Sequence, residues 1–187
     1  HRDLHRVDRR QRQMCIRDSS RGFMSDTKAI SITLVDYQDP TQMTLLIDQL
    51  NHYALDDMGG AQALSEEVKQ RLLIDLPKQQ QNFSLLAWVG DECAGMTNCL
   101  WGYSTFAAKP LVNIHDLCVN EAFRGLGVST ALLRAVEEHA HTQNACKVTL
   151  EVLGNNAIAK ASYKNFGFKA YELSGGAGIA EFWQKYL

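Results

Sequence analysis

Proline, paired cysteines and long apolar runs are scarce in this sequence of 187 residues. It contains three prolines, and no apolar run approaches the ~18 residues that a membrane-spanning helix requires. The first residues also lack the apolar core of a secretory signal, so we expect a cytoplasmic protein that does not bind membranes. The five cysteines show no CxxC pairing, and no HExxH or Cys/His ligand spacing occurs. These absences exclude a small disulfide framework and predict reduced thiols and no bound metal.

Charge is distributed unevenly along the chain. Residues 1–23 hold seven arginines and three aspartates with almost no apolar periodicity, whereas residues 24–187 hold 12 basic and 18 acidic side chains. We expect residues 1–23 to be a non-native or disordered leader and residues 24–187 to form one domain. An arginine-rich arm for nucleic acid and a transit peptide are the alternatives for the leader. The acidic domain disfavours nucleic acid as a partner and favours a cationic small molecule or an amine-bearing peptide.

Hydrophobic periodicity predicts both strands and helices in residues 24–187. Alternating or β-branched apolar segments predict seven strands, at residues 30–36, 83–89, 93–104, 111–119, 146–153, 169–173 and 181–186. Apolar spacing of three and four residues predicts four helices, at residues 41–55, 65–76, 127–142 and 155–166. The order of these elements predicts a single α/β domain, with a mixed sheet of about seven strands flanked by about four helices.

A segment containing two glycines joins a predicted strand to a predicted helix. Arg124 and Gly125 precede the predicted helix, and Gly127 opens it, in the run RGLGVST. Backbone N–H groups at a helix start lack intrahelical partners and lie at the positive end of the dipole, so the segment predicts a phosphate site. One alternative is a tight turn with a solvated Arg124. Another is a degenerate dinucleotide-binding loop ending at Thr130, which the strands that come before it disfavour.

Two motifs together are specific for a known family. The run RGLGVS at residues 124–129 resembles the acyl-CoA pyrophosphate loop of GNAT superfamily N-acetyltransferases, although Ser129 stands where the family has Gly or Ala. The run NAIAKASYKNFGF at residues 156–168 is similar to the family's second signature, and it follows a predicted strand as it does in that family. The resemblance implies a GNAT-like fold and an enzyme that uses acetyl-CoA as co-substrate.

The resemblance also implies which residues contact acetyl-CoA. Residues of the glycine segment and the following helix start would surround the pyrophosphate: Arg124, Gly125, Leu126, Gly127, Val128, Ser129 and Thr130. Backbone groups of the preceding strand would pair with the pantetheine amides, as an added strand would: Leu117, Cys118 and Val119. Asn156 would contact the pantetheine arm or cap the helix that it precedes.

Four side chains are candidates for catalysis under the same resemblance. Tyr163 matches the tyrosine that protonates the departing thiolate, and its alternative role is to pack its helix onto the sheet. Glu151 has the spacing of the basic glutamate in ribosomal-protein N-terminal acetyltransferases, and His115 stands where diamine acetyltransferases carry a glutamate. Asp116 is the third candidate base, and the order of preference is Glu151, then His115, then Asp116. Strand alternation sends His115 and Asp116 to opposite faces unless a bulge intervenes, and each candidate base has a solvated or paired role as its alternative.

Acceptor recognition is expected in two loops. Tyr53, Asp56 and Asp57 cluster at and after the end of the first predicted helix, where the carboxylates suit a cationic amine or a solvated turn. The glycine-rich segment at residues 174–178 is the second loop. We predict acetyl transfer to the primary amine of a small molecule that is polyamine-like or amino-acid-like. The alternatives are a protein N-terminal or lysine acetyltransferase and a catalytically idle acyl-CoA-binding module, and a homodimer is one expected assembly because relatives are often dimers.

Overall fold

The computed structural model describes residues 29–172 and 178–187, so the predicted leader and residues 174–177 of the glycine-rich loop lie outside the described residues. Five strands form one sheet: β1 (Ile30–Leu34), β2 (Asn82–Val89), β3 (Glu92–Ser104), β4 (Lys109–Val119) and β5 (Val148–Leu150). Four α-helices accompany it: α1 (Pro40–Leu55), α2 (Glu66–Asp75), α3 (Val128–Thr142) and α4 (Ala157–Phe166).

The order of the strands in the sheet follows their order in the chain. The pairs from β1 to β4 are antiparallel, and the β4–β5 pair is parallel. A parallel pair requires a crossover connection, which α3 supplies between β4 and β5. The mixed α/β sheet and the four helices expected from the sequence are therefore confirmed.

The expectation of about seven strands is wrong for the described residues, which contain five. The C-terminal segment contributes one isolated antiparallel bridge, between Glu172 and Ile179, in place of the two predicted strands. Phe182 and Trp183 are adjacent aromatic residues in the second predicted strand, and both rings are exposed. An apolar segment forms a strand only where a neighbouring strand and a covering layer are present, and none of residues 178–187 pairs with a strand of the sheet. β5 is likewise shorter than its predicted range of 146–153.

Helices cover both faces of the sheet. On the α3 face, fifteen buried residues form the larger core cluster, in which Leu132 and Val136 of α3 are fully buried. On the α1–α2 face, six buried residues form the smaller cluster, around Met43 and Leu46 of α1. The helix α2 buries none of its residues. The two faces therefore differ in how completely they are filled.

Capping residues explain where α1 begins. The Asp39 carboxylate accepts hydrogen bonds from the N–H groups of Thr41 and Gln42, and Pro40 occupies the first position of α1. A proline is favourable there because a helix offers no partner to the first N–H group. Further along α1, the Gln49 carbonyl accepts a hydrogen bond from the Cys118 thiol of β4 at 3.7 Å, so this helix lies beside the strand that carries predicted site residues.

Candidate active site

The strands β4 and β5 diverge after three paired residues. Val112–Ile114 pairs with Val148–Leu150, and β5 then ends while β4 continues to Val119. Beyond Ile114, β4 keeps β3 as its neighbour, and no described strand pairs with its other edge. Backbone groups of residues 115–119 on that edge are therefore available to an extended ligand, which could bind as an added strand.

A β-bulge interrupts β4 where this free edge begins. Asn98 of β3 pairs with Asp116, and the next residue, Cys99, pairs with Ile114, so His115 is an extra residue in β4. A bulge shifts the side-chain alternation by one residue. His115 and Asp116 consequently line the same cavity, on the α1–α2 face, instead of facing opposite sides of the sheet.

This cavity, which we call the α1–α2 cavity, has a volume of about 160 Å³. The helical side contributes aliphatic side chains: Leu46, Ile47, Leu50, Leu72 and Leu76. The sheet contributes polar side chains: Ser84, Asn98, His115 and Asp116. His115 is exposed although it lines the cavity, so the cavity reaches the protein surface beside the bulge.

A chain of hydrogen bonds ends at the Asp116 carboxylate. The Asn98 amide nitrogen donates to Asp116 Oδ2 at 3.0 Å, and the Ser84 hydroxyl donates to Asn98 Oδ1 at 2.6 Å. The hydroxyl groups of Tyr37 and Ser84 are 2.7 Å apart. Because Ser84 has one proton and gives it to Asn98, Tyr37 must be the donor in that pair. Every donor in the chain is thus directed toward Asp116, which fixes the position of its carboxylate.

Two tyrosines, Tyr53 of α1 and Tyr163 of α4, are close enough to interact with one another. Burial raises the pKa of Tyr53, and the carboxylates of Asp116 and Asp56 raise it further. Burial also raises the pKa of Tyr163 on α4, with a smaller contribution from Tyr53. Among the described residues, none forms a hydrogen bond with the Tyr163 hydroxyl. Both phenols are protonated at neutral pH, and that of Tyr163 can donate its proton to a ligand.

The connection from β4 to α3 has the backbone geometry that an anion requires. Gly125 and Gly127 have φ angles of +80° and +91°, which other residues rarely adopt. Gly127 is the N-cap of α3, and no side chain caps the helix. The N–H groups of Val128–Thr130 lack intrahelical partners and lie at the positive end of the helix dipole. Ser129 makes a different contact, because its hydroxyl lies 3.2 Å from that of Ser162 on α4.

Arg124 is held between β4 and the loop after α1. Its Nη2 donates to Asp56 Oδ2 at 2.8 Å, and its Nε donates to the carbonyl of Val119 at 3.2 Å. The pKa of Asp56 is lowered, first by a hydrogen bond from the Met58 N–H group and then by Arg124. Asp56, expected at the acceptor, is therefore paired with the arginine expected at the phosphate. Asp57, its exposed neighbour, lies in the same loop.

The remaining predicted residues lie around the diverging strands. Glu151 follows β5 and is exposed, and both of its carboxylate oxygens lie 3.2 Å from the amide nitrogen of Asn113. It is not among the residues that line the α1–α2 cavity. Asn156 caps α4 by accepting a hydrogen bond from Ala159 N–H at 3.0 Å. Burial raises the pKa of the Cys118 thiol to about 12, so this thiol stays protonated and is a poor nucleophile.

The sequence reasoning missed three polar residues, Tyr37, Ser84 and Asn98. Ser84 and Asn98 lie in strands that are otherwise largely buried and apolar. A buried polar side chain in such a strand needs a hydrogen-bond partner, which is a signal that the sequence does contain.

Within the described residues, no group of three or more His, Cys, Asp or Glu side chains is arranged to hold a metal ion. None of the described helices is both long enough and apolar enough to cross a membrane.

Several solved structures have a fold similar to that of this chain, and the proteins carry different names. An aminoglycoside acetyltransferase from an uncultured soil metagenomic sample, in complex with sisomicin, is 18% identical with a TM-score of 0.65, covering 84% of this chain and 96% of its own. A transcriptional regulator from Bacillus halodurans is 21% identical with a TM-score of 0.64, covering 82% and 99%. The ribosomal-protein-alanine N-acetyltransferase of Brucella melitensis is 16% identical with a TM-score of 0.59, covering 82% and 100%. At these identities, the similarity shows the fold alone.

The sequence itself also matches a family model. The model of the acetyltransferase (GNAT) family matches residues 44–168, which include the β4 bulge, the glycine segment and Tyr163. A comparison with the sequences of curated proteins finds no significant match. Because the matched region spans most of the chain, this protein belongs to the acetyltransferase (GNAT) family of acyltransferases.

Proposed function

We propose that this protein transfers the acetyl group of acetyl-CoA to the primary amine of a small molecule. The observation that carries the proposal is the bulge at His115, which brings an imidazole and a carboxylate into one cavity. That cavity lies where the free edge of β4 begins, so an acceptor bound in it would be adjacent to a ligand on that edge. Acyl transfer to an amine requires this adjacency.

Three features of the chain fit acetyl-CoA. The free edge of β4 at Leu117–Val119 offers backbone groups to the pantetheine amides. The uncapped start of α3 and the two glycines with positive φ offer N–H groups to the pyrophosphate. Arg124 keeps further guanidinium N–H groups besides the two that contact Asp56 and Val119, so it can bind a phosphate without leaving either partner.

Asp116 and His115 have complementary roles at the acceptor. Asp116 Oδ2 accepts from Asn98, which leaves lone pairs on Oδ1 for the ammonium form of the amine. An alkylammonium gives up its proton only near pH ~10, so a base must remove that proton before the nitrogen can react. An imidazole is the side chain best suited to this step near neutral pH. We therefore assign the base to His115, with Glu151 and Asp116 as the alternatives.

Tyr163 is the proposed general acid. Bound acetyl-CoA supplies the thioester, whose carbonyl carbon bonds to the amine nitrogen while the carbon–sulfur bond breaks. His115 takes the proton that leaves the nitrogen. The protonated phenol of Tyr163 gives its proton to the departing sulfur, and a raised pKa keeps that phenol protonated until the transfer. A backbone N–H group of the β4 edge would polarise the thioester carbonyl.

Calorimetric titration of acetyl-CoA and of CoA into the full chain tests the proposal first. Thiol release is then measured against amines, amino acids and peptides. Micromolar binding with release on amines supports the proposal, and release on peptides alone favours a protein acetyltransferase. Binding without release on any acceptor favours the idle acyl-CoA-binding module, and an absence of binding overturns the assignment of residues 124–130.

Single variants separate the three candidate bases. His115→Gln, Asp116→Asn and Glu151→Gln are compared by the pH dependence of kcat/KM. If the fall of kcat/KM at acidic pH disappears in His115→Gln alone, the assignment of His115 is supported. If it disappears in Glu151→Gln instead, Glu151 is the base. His141→Gln is the matched control, because His141 is exposed near the end of α3. Equal small losses in all three variants would indicate a chain of water molecules instead of one base.

A further inference from the structure

The α1–α2 cavity has one apolar side and one charged position. Its helical side is formed by five aliphatic side chains from α1, α2 and the turn after α2: Leu46, Ile47, Leu50, Leu72 and Leu76. Among the described residues that line the cavity, there is no lysine or arginine, and Asp116 is the one carboxylate. A ligand that matches this lining has a single cationic group for the sheet and an uncharged apolar group for the helices.

The volume of the cavity limits the size of the apolar group. It holds about 160 Å³. A cavity of about 150 Å³ lined by aliphatic and aromatic side chains accommodates one benzene ring. A phenyl group or a branched alkyl group of similar size would therefore fill the space between Asp116 and the helices.

The lining disfavours two other classes of amine. A polyamine or an aminoglycoside would place a second ammonium among the five leucine and isoleucine side chains, where no described residue pairs with it. A free amino acid would place its carboxylate near Asp116 without a lysine or arginine to neutralise it. Both ligands would leave a charge without a partner in a largely apolar cavity.

We infer that the acceptor is a primary monoamine with one compact, uncharged apolar substituent, such as a phenylalkylamine or a branched alkylamine. Its ammonium contacts Asp116, which the chain from Tyr37 through Ser84 and Asn98 holds in place. Its substituent packs against the aliphatic side of the cavity. The inference rests on the proposed function, since it names the acceptor for the same acetyl transfer.

A homologous series of amines tests the inference with the full chain. Thiol release from acetyl-CoA is measured with n-alkylamines of two to ten carbons, phenethylamine, spermidine and leucine. We expect kcat/KM to rise about fourfold for each added methylene until the cavity is filled, and then to stop rising. A flat series, or a preference for spermidine or leucine, would overturn the inference and leave the proposed function intact. Acetyl-CoA binding without thiol release from any of these amines would count against the proposed function itself.

Two variants of α2 locate the specificity in the cavity. Leu72→Phe fills part of it, so the ratio of kcat/KM for phenethylamine to that for ethylamine should fall at least tenfold. Ile74→Phe adds the same ring to the same helix at a side chain that is 60% exposed, and it should leave the ratio unchanged. Equal ratios in the two variants contradict the inference. If Leu72→Phe fails to fold, Leu50→Ala should shift the preferred amine toward longer chains, and an unshifted series would be equally damaging.

Discussion

The two faces of the sheet are packed for different purposes. The α3 face holds fifteen buried residues in its core cluster, and its helix contributes six of them. The α1–α2 face holds six buried residues, and it contains a cavity of about 160 Å³ and a line of polar side chains that ends at Asp116. Filled apolar space stabilises a fold, whereas a cavity with ordered polar groups receives a ligand. We therefore expect stability to depend mainly on the α3 face and, under the proposed function, acceptor binding to depend on the α1–α2 face.

Leu132→Ala should give the largest loss of stability among single changes. Leu132 is fully buried on the α3 face, so its truncation leaves a cavity in tightly packed surroundings. We expect the free energy of unfolding in urea to fall by about 3–5 kcal/mol. Leu72→Ala, at a half-buried position beside the existing cavity, should cost about 1–2 kcal/mol. Equal losses at the two positions would remove the distinction between the faces.

Tyr163→Phe should reduce turnover with little effect on folding. Tyr163 packs against the α3-face cluster, but its hydroxyl is close enough to Tyr53 for the two to interact. Loss of a general acid lowers kcat about 100-fold or more, and the affinity for CoA should be unchanged. In the unmodified protein, kcat should fall only above the ordinary tyrosine pKa of about 10, since the phenol must be protonated and its pKa is raised. Tyr103→Phe, at an exposed tyrosine, is the control.

Arg124→Ala should weaken CoA binding by about 1.5–3 kcal/mol, because a charge-assisted contact to phosphate is lost. Calorimetry measures the change in dissociation constant. Arg134→Ala removes an exposed arginine from α3 and should have no effect. An unchanged affinity in Arg124→Ala would indicate that this arginine serves only to hold Asp56 and Val119 together.

Ser84→Ala tests the polar side of the α1–α2 face. The change leaves Asn98 Oδ1 and the Tyr37 hydroxyl without their shared partner, so we expect a loss of about 1–2 kcal/mol in unfolding free energy. The KM for the acceptor should also rise because Asp116 is less firmly held. Ser31→Ala on β1 is the control. A stable variant with an unchanged KM would show that the hydrogen-bond chain does not position Asp116.

Asp56→Asn should have the smallest effect, less than about 1 kcal/mol, because the Arg124–Asp56 pair is largely exposed. The pKa of Asp56 is lowered in the folded protein, so its contribution to stability is present above the ordinary carboxyl value of 3.8. That contribution disappears as the pH falls through the lowered value. Unfolding curves of the two proteins should therefore differ at neutral pH and converge in acid. A constant difference at all pH values would exclude the ion pair as its cause.

The sequence predicted those elements whose structure depends mainly on residues close together in the chain. The helices α1 and α3 follow from apolar spacing, because each buries an amphipathic face against the sheet. The helices α2 and α4 have no buried residue, and the caps Ser65 and Asn156 mark where they begin. The glycine segment was also accessible, since Gly125 and Gly127 have the positive φ angles that favour glycine. The prediction of two C-terminal strands was wrong because strand pairing depends on a partner elsewhere in the chain. The apolar pattern around Phe182, whose ring is exposed, contains no information about such a partner.

In the candidate site too, the sequence could not predict side-chain positions that depend on contacts between distant segments. The sequence placed His115 and Asp116 side by side, but their common orientation depends on the register between β3 and β4. It also separated Asp56 from Arg124 by 68 positions, so a contact between their side chains could not be foreseen. Pairing across the fold is set by three-dimensional geometry that neither segment encodes alone.

The bulge also determines which codon of β4 can be deleted without changing the register of the strand. Because Asp116 already pairs with Asn98 and Ile114 with Cys99, removing the codon for His115 would join two residues that are already in regular register. Deleting one codon between the bulge and Val119 would instead turn every side chain between the bulge and the deletion to the other face. His115 is thus the position in this strand that an in-frame deletion can remove with least harm to the fold, although such a protein would lack the imidazole.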